Sequence, residues 1–285
     1  MTEPVLGYGA ALVYGLIQGV AEFLPVSSSG HLAIAHLVGL GSLPEELELP
    51  FDVLLHAATL IAILVAFAPD IWRALRCGPR VWMILSIAVV PAGLVGLFGG
   101  DLVAAAGDSW WVMGLCYLFT ATLLVTAERL SAARSDQTAD LAQLTPRQAL
   151  IVGLLQIPAL LPGVSRSGST IAGGLFGGLG PSLAVSVSFL VGLPLIAGAA
   201  AKDALDGGFA ALLASVGFGP LTLAFVAALV SGLGAIVLLK LVVGQRRLVW
   251  FAGYCVLVAI ACFVCEVAID HSEPAASVAP TEIED

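Results

Sequence analysis

Apolar stretches long enough to cross a bilayer recur along this chain, and they come in two kinds. Six run without a break, at roughly 51–69, 81–99, 110–129, 184–202, 220–240 and 248–268. Each approaches the 20 or so residues that carry a helix across a hydrocarbon core of about 30 Å, so six transmembrane helices are predicted. Two further apolar regions, 5–41 and 147–181, are interrupted near their middles by Pro, Ser and Gly, in "LPVSSSGH" and "LPGVSRSGS". Each half is too short to span comfortably, so each region is expected to form a re-entrant hairpin of two half-helices.

The two interrupted regions resemble each other. "GLIQGVAEFLPVSSSG" from Gly15 and "GLLQIPALLPGVSRSG" from Gly153 superpose without a gap and agree at eight of sixteen positions. Shared apolar composition inflates such agreement, but it does not explain the polar matches Gln18/Gln156, Ser27/Ser165 and Ser29/Ser167. Each hairpin precedes three spans, an odd number of crossings, so the second copy enters the membrane from the opposite face. The predicted architecture is therefore an all-α polytopic membrane protein, six transmembrane helices plus two re-entrant hairpins in inverted-topology repeats. Repeat 1 covers about 5–130 and repeat 2 about 147–268, within one membrane domain of residues 1–270; residues 271–285 are expected to be an acidic, disordered tail.

Basic residues orient this frame. Of eleven Lys and Arg, eight fall in three connections: Arg73, Arg76 and Arg80; Arg129, Arg134 and Arg147; Arg246 and Arg247. Lys240 flanks the last, Lys202 lies at a connection of the other set, and Arg166 stands within a motif. The positive-inside rule puts the three connections in the cytoplasm and both termini outside. The two Ser/Gly tips can then meet at mid-depth.

Composition agrees with this class. The chain is 59% hydrophobic and 11% charged, with a mean hydropathy of +1.04; a soluble domain is nearer one quarter charged. The net charge of −9 is read as acids in loops and tails, Glu45, Glu46 and Glu48 among them, and not as a surface property. The five cysteines sit mostly in apolar runs and are expected to pack; Cys262 and Cys265 form a C-x-x-C with no second pair. No basic leader with a cleavage site is evident at the start. No nucleic-acid partner is expected; the bilayer is the expected environment, and a homodimer is the assembly considered.

Polar groups near the tips are few: Gln18, Glu22, Ser27, Ser28, Ser29 and His31 from the first hairpin, and Ser165, Arg166, Ser167, Ser169 and Thr170 from the second. Gln18 and Glu22 are four apart and share a helix face, and Ser28 and His31, three apart, can do the same. Two half-helix N-termini would aim N–H groups into one space, and Arg166 adds a planar donor fork suited to phosphate oxygens. A hydroxyl, an imidazole and a carboxylate beside such an anion cradle point to phosphoryl transfer. Blander roles compete: serines before helices are ordinarily N-caps, Arg166 can pair with Glu22 instead of an anion, and a lone His36 or His56 in a span is ordinarily hydrogen-bonded structure.

"QGVAEFLPVSSSGH" (Gln18 to His31) and "LPGVSRSGST" (Leu161 to Thr170) closely resemble the two signature motifs of the undecaprenyl pyrophosphate phosphatase family, also called the bacitracin-resistance protein family. The resemblance extends to "FDVLLHAATLIAILVAF" and "SFLVGLPLIAGAA" and covers nearly the whole chain apart from the tail. It implies dephosphorylation of a C55 polyprenyl pyrophosphate lipid to the monophosphate in a bacterial inner membrane, with an active site open to the outer face. It also implies roles: Glu22 as essential carboxylate, Ser28 as candidate nucleophile, His31 as motif histidine, Arg166 as phosphate ligand, and Ser165, Ser167 and Thr170 as second-motif hydroxyls. Gln18 stands where many members carry a glutamate. Mg²⁺ or Ca²⁺ is the expected cofactor, with Glu22 its one evident hard ligand and the pyrophosphate itself supplying oxygens. Attack by Ser28, with His31 or Glu22 relaying its proton, stands beside direct attack by water.

Two other functions compete with this one. Inverted repeats with broken helices also build transporters, so the same cradle could carry a polyprenyl phosphate or another anion across the membrane uncleaved. A lipid phosphatase of the vanadium-haloperoxidase-like type is excluded, because its Lys-x₆-Arg-Pro motif is absent around Lys202 and Lys240.

Overall fold

The computed structural model of the chain describes residues 6–41, 43–98, 109–132, 138–206 and 208–272. The first helix pair is α1 (Tyr8–Phe23) and α2 (Ser28–Leu37); then follow α3 (Glu45–Ala66), α4 (Ala68–Arg76), α5 (Pro79–Phe98) and α6 (Trp110–Ala132). The second pair is α7 (Pro146–Gln156) and α8 (Arg166–Phe176), followed by α9 (Pro181–Asp206), α10 (Gly208–Val216), α11 (Phe218–Gly244) and α12 (Val249–Ser272). Six of these, α3, α5, α6, α9, α11 and α12, are long and apolar enough to cross a membrane. The protein is an all-α polytopic membrane protein.

Several expectations are corrected in detail. Glu45, Glu46 and Glu48 are not in a loop: they form the first turn of α3, where carboxylates complement the positive end of the helix dipole. The helices in place of 184–202 and 248–268 run on to Asp206 and Ser272, so the expected tail begins inside α12; its remainder lies outside the described residues, as does Arg134. The short α4 and α10 were not predicted as elements. Helix α4 is nine residues long, with Asp70 in its first turn and Arg73 and Arg76 in its last. It is too polar to register as a span and too short to register as a period.

Proline keeps both interruptions extended, although α7 itself already ends at Gln156, ahead of a short 3-10 turn at Pro158–Leu160. Leu24 and Leu161 each precede a proline and have extended backbones, with ψ of 144° and 133°, because the ring disfavours a helical conformation one residue earlier. At 16 residues, α1 extends about 24 Å; α7 and α8, at 11 residues each, extend about 17 Å. None reaches across a core of about 30 Å. Helix α7 starts on a reciprocal cap: Thr145 Oγ1 accepts from Gln148 N at 3.3 Å while Gln148 Oε1 accepts from Thr145 N at 3.0 Å.

Small residues set the packing around these pairs. Helix α1 lies along α11 and α7 along α5. The glycines that open the two similar segments make both contacts: a Cβ on Gly15 would meet the backbone of Ala224, and one on Gly153 the backbone of Ala88. Close approach through small side chains is the usual means of helix association in lipid. Helices α6 and α12 pack on each other, and α9 lies against α3, α5 and α8. Phe23, Phe67 and Phe189 join α1, the α3–α4 junction and α9 in a ring cluster directly behind the two tips.

Candidate functional site

The last turn of α1 delivers Glu22, which is 6% exposed, to the space between the two tips. Its carboxylate gathers four partners. Oε2 accepts from Ser28 Oγ at 2.6 Å and from Gln18 Nε2 at 3.3 Å, and lies 3.5 Å from His56 Nε2. Oε1 is ion-paired with Arg166 Nη2. Ser28 is the first residue of α2 and Arg166 the first of α8, so both short helices start at the same carboxylate. Arg166 thus has an internal anionic partner, as one of its two expected roles required. Its other terminal nitrogen, Nη1, is buried and has no hydrogen-bond partner among the described residues.

Most of the remaining motif hydroxyls build the tips themselves. Ser27 caps α2 by accepting from Gly30 N at 3.3 Å, and Ser165 caps α8 by accepting from Gly168 N at 3.0 Å. Ser27 Oγ lies 3.4 Å from Ser29 Oγ, and Ser165 Oγ 3.2 Å from Ser167 Oγ. Two further bonds tie one tip to the other: Gly163 N donates to Ser27 Oγ at 3.1 Å, and Ser167 Oγ donates to the Leu24 carbonyl at 3.2 Å. Ser27 holds a left-handed backbone, φ 68°, a conformation uncommon outside glycine. Thr170 points away from Glu22, bonding Ser188 Oγ of α9 at 2.6 Å, and the buried Ser169 Oγ has no partner among the described residues.

His31 does not share a hydrogen bond with Ser28. Its Nδ1 lies 2.6 Å from the Ser27 carbonyl, which only accepts, so Nδ1 carries the proton. In the neutral ring Nε2 then accepts from Tyr254 Oη of α12 at 2.7 Å, and Tyr117 Oη of α6 lies 3.0 Å from Nδ1. The structure thus joins Gln18, Glu22, Ser28 and Arg166 and leaves His31 between two tyrosines. Both tyrosines were missed in the sequence, as was Thr120, whose Oγ1 accepts from Ser165 N at 3.0 Å and donates to the Gly163 carbonyl at 3.1 Å. His56 was read there as hydrogen-bonded structure. It does bond the Asp52 carbonyl through Nδ1, at 2.7 Å, yet its other nitrogen faces Glu22. The spacing to Glu22, in a different segment, is what sequence periodicity does not report.

The cysteines are free thiols, with Cys116, Cys255 and Cys262 buried. Among the described residues no group of three or more His, Cys, Asp or Glu is arranged to hold a metal ion. Beside Glu22, however, Gln18 Oε1 is buried without a partner among the described residues.

Comparison with known proteins places these contacts in context. A family described as "Bacitracin resistance protein BacA" matches residues 11–261. An undecaprenyl-diphosphatase of Syntrophotalea carbinolica is 40% identical over 259 residues, covering 86% of this chain and 94% of the relative. One from Christiangramia forsetii is 38% identical over 265 residues, covering 89% and 96%. One from Alkaliphilus metalliredigens is 35% identical over 269 residues, covering 86% and 93%.

Proposed function

Because the chain belongs to the bacitracin resistance protein BacA family, we propose that it hydrolyses undecaprenyl pyrophosphate to undecaprenyl phosphate and inorganic phosphate, recycling a lipid carrier of cell-wall synthesis at the bacterial inner membrane. One observation carries the chemistry: the Ser28 hydroxyl donates to Glu22, and Glu22 is paired with Arg166 across the two tips. A nucleophile, a proton acceptor and an anion ligand thereby share one buried point.

In the reaction, Arg166 and the N–H groups of the helix starts hold the phosphates. Ser28 Oγ attacks the terminal phosphorus, its proton passes to Glu22 Oε2, and the bond to the bridging oxygen breaks to release the polyprenyl phosphate. Water then attacks the phosphoserine, and Ser28 Oγ recovers its proton from Glu22 as inorganic phosphate leaves. Glu22 suits the relay better than His31, because both His31 nitrogens are engaged by Ser27 and Tyr254. A Mg²⁺ or Ca²⁺ ion would be held by Gln18 Oε1 and Glu22 with pyrophosphate oxygens completing the shell, and would neutralise charge on the pyrophosphate.

We further propose that residues of about 5–130 and 147–268 are inverted repeats within one membrane domain, with both termini outside and the site opening to the outer face. Support comes from the order of elements: each helix pair precedes three long helices, with one short helix after the first of the three. Support for the orientation comes from Arg73, Arg76, Arg80, Arg129, Arg147, Arg246 and Arg247 at the connections α4–α5, α6–α7 and α11–α12. An impermeant thiol reagent on intact cells should label Tyr8→Cys and spare Arg76→Cys in a chain otherwise free of cysteine. The reverse pattern refutes the orientation.

Phosphate release from C55-pyrophosphate by the detergent-purified protein tests the activity where no compartment exists. Release by the wild type, lost in Arg166→Ala, is expected. A folded wild type that releases none with Mg²⁺ or Ca²⁺ present returns the cradle to transport.

A further inference from the structure

The wall behind the Arg166 guanidinium comes from α9, a helix that supplies none of the groups touching Glu22. Arg166 Cζ lies 5.7 Å from the centre of the Phe189 ring, within reach of a cation–π contact. Three residues further along the same face stands Gly192. A Cβ at that position would overlap Arg166 Nη1 and come within 2.8 Å of Cζ, well inside the roughly 3.5 Å at which carbons touch. The three nearest atoms such a Cβ would meet all belong to that guanidinium. Gly198, on the same helix, has nothing within 4 Å of its Cβ position.

The adjacent residue on α9 fixes the other end of the arginine. Ser188 Oγ bonds Thr170 Oγ1 at 2.6 Å, and Thr170 Oγ1 donates to the Arg166 carbonyl at 2.7 Å. The backbone of Arg166 is therefore held to α9 through Thr170, its planar head lies beside Phe189 and Gly192, and one edge of the head is bound by Glu22. Nη1, on the side of the head that faces Gly192, is buried and unpartnered among the described residues.

We infer that the Ser188–Phe189–Gly192 face of α9 is a seat that positions Arg166, and that Gly192, by having no side chain, sets where the guanidinium meets the substrate phosphate. Gly192 is then a positioning residue for the phosphatase reaction and rests on that reading of the site. A methyl group there pushes the guanidinium off its place without removing it. A shift of about 1 Å in such a group can cost on the order of 100-fold in rate.

The test compares wild type, Gly192→Ala, Arg166→Ala, the double variant and Gly198→Ala for phosphate release from C55-pyrophosphate and for thermal unfolding in detergent. Gly192→Ala should lose about 100-fold in kcat/KM, and the double variant should be no slower than Arg166→Ala, because the methyl group acts only through the arginine. Gly198→Ala should match wild type. If Gly192→Ala is too unstable to assay, removing the arginine it collides with should return its midpoint to that of Arg166→Ala. Near-normal turnover in Gly192→Ala, or a further loss of rate or stability in the double variant, overturns the seat. If the wild type itself releases no phosphate, the enzymatic reading fails separately. Binding of inorganic pyrophosphate then decides the seat on its own: it should weaken in Gly192→Ala, no more than in Arg166→Ala, and no further in the double variant; unchanged binding in Gly192→Ala, or a further loss in the double variant, refutes it.

Discussion

The two helix-pair tips use the same residues for the same bonds and different residues for everything else. At the matched positions Ser27 and Ser165 cap the following helix, Ser29 and Ser167 lie beside the caps, and Gly30 and Gly168 supply the capped N–H. The unmatched positions carry the charged and reactive groups: Glu22 faces Leu160 in the superposition, Ser28 faces Arg166, and His31 faces Ser169. Similarity at the serines and glycines therefore marks the frame, and the charged groups fall where the segments diverge, with Gln18, matched by Gln156 yet bonded to Glu22, the exception. Each tip alone is half a site, because the carboxylate and hydroxyl come from one and the guanidinium from the other.

Replacing the unmatched serine separates frame from chemistry most sharply. Ser28→Ala should reduce kcat by about 10⁴-fold or more, the scale on which removal of a serine nucleophile acts in other hydrolases, while the unfolding midpoint in detergent stays near wild type. The neighbouring Ser29→Ala should leave the rate within a few-fold. Equal losses in the two variants would mean that the hydroxyls act together as frame, and the distinction would collapse.

Glu22→Gln comes next and should strike both properties. The amide cannot accept the proton of Ser28, which costs about 10² to 10⁴ in rate. It also leaves the part-buried Arg166 without an anion, which costs at most about 3 to 5 kcal/mol, visible as a lower unfolding midpoint. A variant that is slow but as stable as wild type would show that Arg166 finds another partner.

The frame was more legible in the sequence than the site. The six long helices follow from unbroken apolar runs, and both tips from Leu-Pro followed by serine and glycine, since these are local signals. Glu22, Ser28 and Arg166 were also legible, because polar groups in apolar surroundings are conspicuous. What surrounds them was not. Tyr254 reaches His31 from 223 residues away and Tyr117 from 86, and each lies in an apolar helix where a tyrosine draws no notice. The expected pairing of Ser28 with His31 followed from helical spacing alone, whereas the serine hydroxyl instead turns back to the carboxylate of the preceding helix.

The smallest expected effects distinguish the two caps. Ser27→Ala removes a cap and also strands Gly163 N, a buried donor bound to Ser27 Oγ at 3.1 Å, so a loss of about 1 to 3 kcal/mol is expected. Ser165 has no such duty, for a reason visible in the superposition. The position matching Gly163 is Pro25, which lies against Gly168 and has no N–H to donate. Ser165→Ala should accordingly cost only the cap, about 1 kcal/mol, and its unfolding midpoint should fall less than that of Ser27→Ala. Equal falls would show that the Gly163–Ser27 bond contributes nothing beyond capping, and that the Ser167–Leu24 bond, the Arg166–Glu22 pair and packing hold the two halves together without it.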